Sequence, residues 1–145
     1  MNLSVKEYKA LLEKESKRSK YGAKKCQYKG IVFDSQREMR RYQELEEKLR
    51  TGEIKDLQLQ KKFELIPSQP DPDAPTEYYK RGPNKGQPKP APVLEPPCSY
   101  IADFFYYSVP EKQYVCEDSK GMRTKEYKIK RKLMLYVHKI KIREV

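Results

Sequence analysis

The chain has 145 residues, 37% of them hydrophobic, which predicts a single domain with a compact core inside a very polar shell. No apolar run approaches membrane-spanning length, so the formal net charge of +11 favours nucleic acid over a membrane as the polyanionic partner. The 3 cysteines have no CxxC spacing and there is 1 histidine, which argues against a disulfide framework and against a zinc site.

An amphipathic helix is predicted over residues 3–16, where apolar side chains recur among lysines and glutamates and Ser4 can serve as the N-cap. It would pack on the core or on a partner subunit, or form a mobile arm. This segment lacks the apolar stretch of a secretion signal, so we expect a reduced, cytosolic protein. The basic run at residues 17–25 is either a solvated linker or a phosphate contact. Its candidate DNA-binding residues are Lys20, Lys24 and Lys25.

A short extended piece or hairpin is predicted over residues 26–33, followed by a helix that begins after Ser35 and ends at Gly52. Ser35 and Glu38 have the spacing of a capping box. Glu38 is therefore either a helix-capping residue or an acid that faces inward and joins a carboxylate site. Its position in the sequence does not decide between these two roles. The residues predicted to form the buried stripe of this helix are Met39, Tyr42, Leu45 and Leu49.

A long strand is predicted over residues 53–66, where apolar and polar side chains alternate, with a bulge near Lys61 and Lys62. Gln60 lies on the polar face of this strand. There it could reach a metal-bound water or a phosphate, although such a glutamine is more often only solvated.

Residues 67–98 hold all but one of the 11 prolines, a density that no central strand or helix tolerates. The pattern predicts an irregular and partly mobile surface insertion between two neighbouring strands. The alternative is that its adjacent tyrosines and cations, Tyr78 to Arg81, stack on unpaired bases or grip a nucleic-acid backbone.

A β-hairpin is predicted over residues 100–121. Strand alternation places Asp118 and Lys120 on one face of its second arm and turns Glu117 to the other side. If Asp103 of the first arm lies beside Asp118, two carboxylates and an ammonium converge at one sheet edge. Such a cluster suits a hard divalent cation such as Mg²⁺, because two close carboxylates repel each other. The alternative is a cross-strand salt-bridge cluster on a solvated face.

A second helix is predicted after Gly121, capped by Thr124, and its outer face carries several cations with Glu126 as the only acid. That many cations beside a carboxylate site would make a phosphate track. Residues 139–145 alternate and predict a closing strand. The residues predicted to face inward from the helix are Ile129, Leu133, Tyr136 and Val137. The candidate DNA-binding residues are Arg123, Lys125, Lys128, Arg131 and Lys132.

The predicted order is helix, strand, long loop, strand, strand, helix and strand, with acids on the first helix and on both hairpin arms. This pattern resembles the PD-(D/E)XK nuclease superfamily, and more closely a family of small phage and prophage nuclease-like proteins related to Holliday-junction resolvases. Two departures are Ala102, where the superfamily pattern has proline, and a proline-rich stretch longer than the core requires. The segments that carry the resemblance are KYGAKK, GIVFDSQREMRRYQEL, GEIKDLQLQKKFELIP, YIADFFYY, CEDSKGMRTKEYKIKRKL and IKIREV.

The resemblance implies an α/β fold with an αβββαβ, restriction-endonuclease-like core and a mixed central sheet. This nuclease core would occupy residues 26–145 and contain the proline-rich insertion at residues 67–98. Residues 1–25 would form the N-terminal amphipathic helix and its basic linker.

The resemblance also implies roles for individual residues. Asp103 and Asp118 would hold one or two Mg²⁺ ions, for which Mn²⁺ could substitute, helped by the carbonyl of Ser119. Lys120 would orient the attacking water and steady the charge that grows on the scissile phosphate. The catalytic set implied in this way is Glu38, Asp103, Asp118 and Lys120, with Glu38 as a further metal ligand and Gln60 as an accessory polar residue.

By the same resemblance, the expected activity is that of a metal-dependent DNA endonuclease, which leaves a 5′-phosphate and a 3′-hydroxyl. Holliday junctions or other branched DNA are the expected substrates, in phage DNA recombination, replication or packaging within the cytoplasm of a bacterial host. Junction cleavage needs two active sites, so a homodimer is expected, with no membrane partner and no nucleotide cofactor. The alternatives are a non-catalytic DNA-binding or regulatory protein on a nuclease fold, and a nuclease that does not recognise junctions.

Overall fold

The computed structural model of the chain describes residues 24–145. The predicted N-terminal helix and Lys20 lie outside the described residues. The chain divides into two compact units, Met1–Ile54 and Lys55–Val145. The described elements are β1 (Cys26–Tyr28), β2 (Ile31–Phe33), α1 (Gln36–Thr51), β3 (Ile54–Ile66), β4 (Gln69–Pro70), β5 (Val93–Glu95), β6 (Cys98–Ser108), β7 (Gln113–Asp118), α2 (Lys125–His138) and β8 (Arg143–Glu144).

The first unit contains a hairpin followed by a helix. Strands β1 and β2 pair antiparallel, and the two residues between them, Lys29 and Gly30, have φ angles of 47° and 80°. Positive φ at both central positions matches the twist of the flanking strands and is the geometry of a tight two-residue hairpin turn. The hairpin predicted at residues 26–33 is therefore confirmed.

Helix α1 begins and ends where the sequence predicts. Ser35 is the N-cap, and its Oγ accepts a hydrogen bond from the backbone N–H of Glu38 at 3.1 Å. After the helix the backbone turns at Gly52, whose φ of 81° lies in the left-handed region that glycine occupies without a Cβ clash.

The buried stripe of α1 is shorter than predicted. Leu45 is completely buried, and Tyr42 packs its ring 5.2 Å from the ring of Phe33 in the preceding hairpin. Met39 is half-buried. The inclusion of Leu49 in the stripe is wrong, since its side chain is 43% exposed. Leu49 lies one turn beyond Leu45, in the last turn of the helix, where less of the unit surrounds it.

A four-stranded sheet forms the framework of the second unit, in the order β3-β6-β7-β8. Strands β6 and β7 pair antiparallel and form the predicted hairpin, whereas β7 and β8 pair parallel. The protein is therefore a mixed α/β fold with a mixed central sheet and two described helices. The closing strand predicted at residues 139–145 is wrong in length. The chain leaves α2 through left-handed Lys139 (φ 59°) and joins β7 only at residues 143–144.

Strand β3 is long and irregular in its first half. Its backbone takes left-handed conformations at Asp56 (φ 53°) and at Gln60 (φ 51°), which directly precedes the predicted bulge near residues 61–62. Such kinks re-aim side chains without ending a strand. Phe63 and Leu65 still alternate inward and are buried.

Helix α2 covers one face of this sheet, but with a different side from the one predicted. Thr124 is its N-cap as predicted, accepting a hydrogen bond from the backbone N–H of Tyr127 at 3.1 Å. The assignment of Ile129, Tyr136 and Val137 to the interior is wrong, because they are 58%, 76% and 44% exposed. Leu133 does pack against the core. The buried core cluster consists of Phe63, Leu65, Tyr100, Ala102, Cys116, Tyr127, Met134 and Ile142. Among residues 24–145 no helix is long and apolar enough to cross a membrane.

The proline-rich insertion is a paired structure, which corrects the prediction of an irregular loop. Strands β4 and β5 pair antiparallel at its base, and Tyr78 forms an isolated β-bridge with Pro88 farther along. Proline lacks an N–H but keeps its carbonyl acceptor. The backbone N–H of Asp71, for example, donates to the carbonyl of Pro92 at 2.8 Å. Prolines can therefore line both sides of this excursion without breaking its pairing.

Candidate functional site

The β6–β7 hairpin brings two carboxylates to one end of the sheet. The last registered pair at that end is Phe104 with Glu117, so the next residues outward on the two strands are Asp103 and Asp118. One oxygen of Asp103, Oδ2, accepts a hydrogen bond from the backbone N–H of Ser119 at 2.8 Å. This bond ties the first carboxylate to the end of β7, so the structure brings together the two acids that the sequence singled out.

Asp118 is almost completely buried, with 2% of its surface exposed. Its Oδ2 accepts a hydrogen bond of 2.5 Å from the hydroxyl of Tyr100. Its Oδ1 has no hydrogen-bond partner, although the Nζ of Lys120 lies 3.2 Å away. The ammonium is thus within ion-pair distance but outside hydrogen-bond geometry. A buried carboxylate oxygen without a hydrogen-bond donor is costly, and here the charge of Lys120 offsets that cost only in part.

Tyr100 is a site residue that the sequence analysis did not single out. Its ring belongs to the buried core, and its hydroxyl reaches Asp118. Burial, together with the hydrogen bond to Asp118, raises the pKa of Tyr100 far above its usual value, so the hydroxyl stays protonated and donates. A signal was present, because a tyrosine inside a buried strand needs a partner for its hydroxyl, and Tyr100 precedes Asp103 in the same strand.

Lys120 lies beside Asp118 and is only partly exposed. Its Nζ is 4.6 Å from the centroid of the Tyr127 ring, a cation–π distance, and 3.2 Å from Asp118. The Tyr127 hydroxyl in turn donates to Glu144 of β8 at 3.0 Å. The ammonium is therefore held beside the site by one aromatic face and one carboxylate.

The electrostatics of the site are dominated by its two acids. Burial, and then the negative charge of Asp118, raise the pKa of Asp103 to about 6. The hydrogen bond from the Ser119 N–H, the charge of Lys120 and the amide of Gln60 act in the opposite direction. The net effect is a carboxyl group that ionises near neutrality, as carboxyl groups at functional sites often do.

Gln60 lies at the predicted accessory position. Its Nε2 donates to Oδ1 of Asp103 at 3.4 Å, which is a long hydrogen bond. The backbone at Gln60 is left-handed, with a φ of 51°, in the middle of β3.

Two other buried acids differ from the pair at the hairpin end. Glu117 is completely buried, and its Oε1 accepts a hydrogen bond of 2.5 Å from the Tyr106 hydroxyl, so it has turned away from Asp118 as predicted. Glu38 lies in the first unit, where its carboxylate accepts a hydrogen bond from the backbone N–H of Asp34 at 3.3 Å. This contact fits the helix-capping interpretation. The further role of Glu38 as a metal ligand stays a prediction.

The predicted DNA-binding cations fall into two groups. Arg123 and Arg131 form ion pairs with Glu144 at 2.6 and 3.0 Å, and Lys25 lies 3.7 Å from Asp34. At these three residues a DNA phosphate would compete with the carboxylate that already pairs with the cation. The remaining described members of the set are all exposed: Lys24, Lys125, Lys128 and Lys132.

A comparison with protein families gives one match. The family model DUF1064, described as a protein of unknown function, matches residues 18–144. The chain belongs to the DUF1064 family. No curated protein and no solved structure matches it. The matched range of this DUF1064 protein contains the described elements of both units and the whole carboxylate site.

The carboxylate site of the DUF1064 protein fits a hard divalent cation in its donor chemistry. No cluster of three acidic, histidine or cysteine side chains able to hold a metal occurs in residues 24–145. Two carboxylates are nevertheless present, and one buried oxygen of Asp118 lacks a hydrogen-bond donor. Oxygen donors from two carboxylates and a backbone carbonyl, completed by water, are the set that Mg²⁺ takes in proteins. Burial raises the pKa of the neighbouring Cys116 thiol to about 12, so this thiol is neutral in the metal-free protein.

In the metal-free protein, the contribution of Asp103 to stability is expected to fall as the pH rises through the window from 3.8 to about 6. In that window the folded state holds the Asp103 proton and the unfolded chain releases it, so for this group each rise in pH favours unfolding. Asp103→Asn should remove this dependence. The free energy of unfolding of the variant minus that of the wild type should therefore grow by up to about 3 kcal/mol from the lower to the upper end of the window.

Urea unfolding in EDTA, at pH values below, within and above this window, measures the effect. Asp73→Asn is the matched control, because Asp73 is an exposed aspartate in the insertion. Added Mg²⁺ should stabilise the wild type most above the window, since metal ligands must be deprotonated. The same pH dependence in wild type and Asp103→Asn would contradict a raised pKa for Asp103.

Proposed function

We propose that this DUF1064 protein is a metal-dependent DNA endonuclease with a PD-(D/E)XK-type, restriction-endonuclease-like core. The observation that carries the proposal is the meeting of Asp103, Asp118 and Lys120 at the end of one hairpin, where a buried Asp118 oxygen lacks a hydrogen-bond donor. The chain order α1, β3, β6, β7, α2, β8 fits such a core. The net charge of +11 suits a polyanionic substrate.

Asp103 and Asp118 would hold Mg²⁺ in this proposal, with the Ser119 carbonyl as a further oxygen donor. When bound, Mg²⁺ would offset negative charge on the scissile phosphate and lower the pKa of the attacking water. Lys120 would orient that water and offset charge that develops on the phosphoryl oxygens. Tyr100 would keep the Asp118 carboxylate in one orientation through its 2.5 Å hydrogen bond, which makes it a positioning residue.

The proposed substrate is branched DNA of the Holliday-junction type, and this part of the proposal rests on the resemblance to phage and prophage resolvase-like nucleases. A junction presents two strands to be cut, so the proposal includes a homodimer with one site per chain. The place of action would be the host cytoplasm, during phage DNA recombination, replication or packaging.

Cleavage of a labelled four-way junction, a linear duplex and a single strand tests the proposal. Each substrate is incubated with Mg²⁺, with Mn²⁺ and with EDTA, and the products are resolved on a denaturing gel. We expect symmetric nicks in the junction with either metal and no product in EDTA. The 5′ ends of the products should accept ligation directly, because water that attacks the phosphorus with the 3′ oxygen as leaving group yields a 5′-phosphate and a 3′-hydroxyl.

Each other outcome changes a different part of the proposal. Metal-dependent cutting of duplex or single strand would keep the site and replace the substrate. Tight DNA binding without cutting under either metal would contradict the nuclease and favour the non-catalytic DNA-binding alternative.

A further inference from the structure

The middle of the proline-rich insertion is a segment closed by a turn, residues 77–89, which we call the basic finger; its two sides meet at one β-bridge, Tyr78 with Pro88. Its two sides are joined by backbone hydrogen bonds. The N–H of Lys89 donates to the carbonyl of Glu77 at 2.7 Å, the N–H of Tyr79 to Gln87 at 3.0 Å, and the N–H of Gly86 to Tyr79 at 2.9 Å. The basic finger is therefore a fixed structure and can present side chains in a defined arrangement.

The tip of the basic finger is closed by glycines in left-handed conformations. Gly82 and Gly86 have φ angles of 85° and 82°, which residues with a Cβ adopt only with strain. Further turn bonds run from the N–H of Lys85 to the carbonyl of Gly82 at 3.1 Å and from the N–H of Gln87 to Asn84 at 2.9 Å. These bonds hold the basic tip residues in a compact turn.

Positive charge is concentrated at that tip. Lys80, Arg81 and Lys85 are all exposed, and no acid occurs between Tyr78 and Leu94. The nearest acid in the sequence, Glu77, pairs with Lys89 at 3.1 Å, and none of the three tip cations forms an ion pair with another residue in the range 24–145. Like charges this close on one turn repel each other unless a polyanion neutralises them.

The chemistry of the tip favours nucleic acid as that polyanion. A membrane-inserting tip would need apolar side chains, but the tip between Lys80 and Gly86 carries only Pro83 as an apolar side chain. The major groove of B-DNA is about 12 Å wide, and lysine and arginine side chains on an exposed turn can reach the phosphates that border it.

We propose that the basic finger is a DNA-binding element whose residues Lys80, Arg81 and Lys85 contact backbone phosphates of the substrate. This inference rests on the proposed function and assigns a role to the insertion between β3 and β6. The basic finger adds binding free energy from counterion release and does not take part in bond cleavage.

The test compares a triple variant, Lys80→Gln with Arg81→Gln and Lys85→Gln, against the double variant Glu77→Gln with Lys89→Gln. The double variant changes two exposed residues of the same finger but leaves its net charge unchanged. Fluorescence anisotropy with a labelled duplex in EDTA gives the slope of log K against log salt. Loss of three phosphate contacts should reduce this slope by about 2 to 3 in the triple variant, and should weaken binding roughly tenfold to a hundredfold at moderate salt. The double variant should keep the wild-type slope.

Cleavage by the triple variant separates this inference from the proposed function. At saturating DNA the triple variant should keep the wild-type kcat and show only a higher KM, because its active site is intact. A wild-type salt slope in the triple variant, with wild-type cleavage, would overturn the role of the basic finger and leave the nuclease standing. Absence of DNA binding by the wild type would overturn both.

Discussion

Asp118→Asn is expected to lower the rate of DNA cleavage by about a thousandfold, which corresponds to roughly 4 kcal/mol of lost transition-state stabilisation. The substitution keeps the size of the side chain and leaves an oxygen to accept the Tyr100 hydrogen bond. It removes the negative charge that would hold Mg²⁺. It also removes the repulsion that raises the pKa of Asp103, so thermal stability should be equal to or higher than that of the wild type. Single-turnover cleavage with saturating Mg²⁺ measures the loss.

Glu117→Gln is the matched control for this variant. Glu117 is the neighbouring residue on β7, is as deeply buried, and accepts a tyrosine hydrogen bond of the same 2.5 Å length. It differs from Asp118 in the direction of its side chain, toward Tyr106 and away from Lys120. Glu117→Gln should therefore retain cleavage within a fewfold of wild type. Equal losses in the two variants would mean that buried charge in β7, rather than a ligand at Asp118, limits the reaction.

The hairpin that holds the site could be predicted because local features of the sequence determine its strands and its turn. Period-two alternation separates Asp118 from Glu117, and a turn at residues 109–112 sets which residues of the two arms meet. The caps of both helices followed from local chemistry in the same way, since Ser35 and Thr124 each accept a hydrogen bond from the N–H three residues on. The local sequence is sufficient to predict a structure where the residues that contact each other are also close in sequence.

The packing of α2 could not be predicted from its own sequence, because the helix carries apolar side chains on more than one face. Ile129 and Tyr136 formed a plausible stripe, but Tyr127 and Met134 occupy the core instead. Only contact with the sheet chooses between such stripes, and that choice depends on residues far away in the chain. The contact of Tyr100 with Asp118 belongs to the same class, since it joins two strands across 18 positions of sequence.

The ordered insertion was missed for a different physical reason. Proline density argues against strands because each proline removes a backbone donor. In this insertion the donors come from other residues, such as Asp71 and Tyr79, while prolines and their neighbours supply acceptors. A paired excursion on the edge of a fold needs few donors, so proline content alone does not distinguish it from an irregular loop.

Lys120→Gln is expected to lower kcat about a hundredfold, because the loss of one preorganised donor at a developing charge has an effect of this size. The variant should bind DNA nearly as well as wild type, since one of many cations is removed. In the pH–rate profile, the limb on which the rate increases with pH should also move to higher pH. The charge of Lys120 lowers the pKa of Asp103, so its removal lets that pKa rise further and the metal-binding form appear later.

Lys130→Gln is the matched control for this variant. Both ammonium side chains line the same surface groove and have nearly equal exposure, 30% for Lys120 and 28% for Lys130. Lys130 differs in its partner, since it pairs with Glu126 on α2 at 3.1 Å and not with Asp118. Rate constants at saturating DNA, measured across pH for both variants, separate the two positions. An equal fall in kcat, with neither pH profile displaced, would show that Lys120 contributes only to the general positive potential of the groove and not to the reaction at the carboxylates.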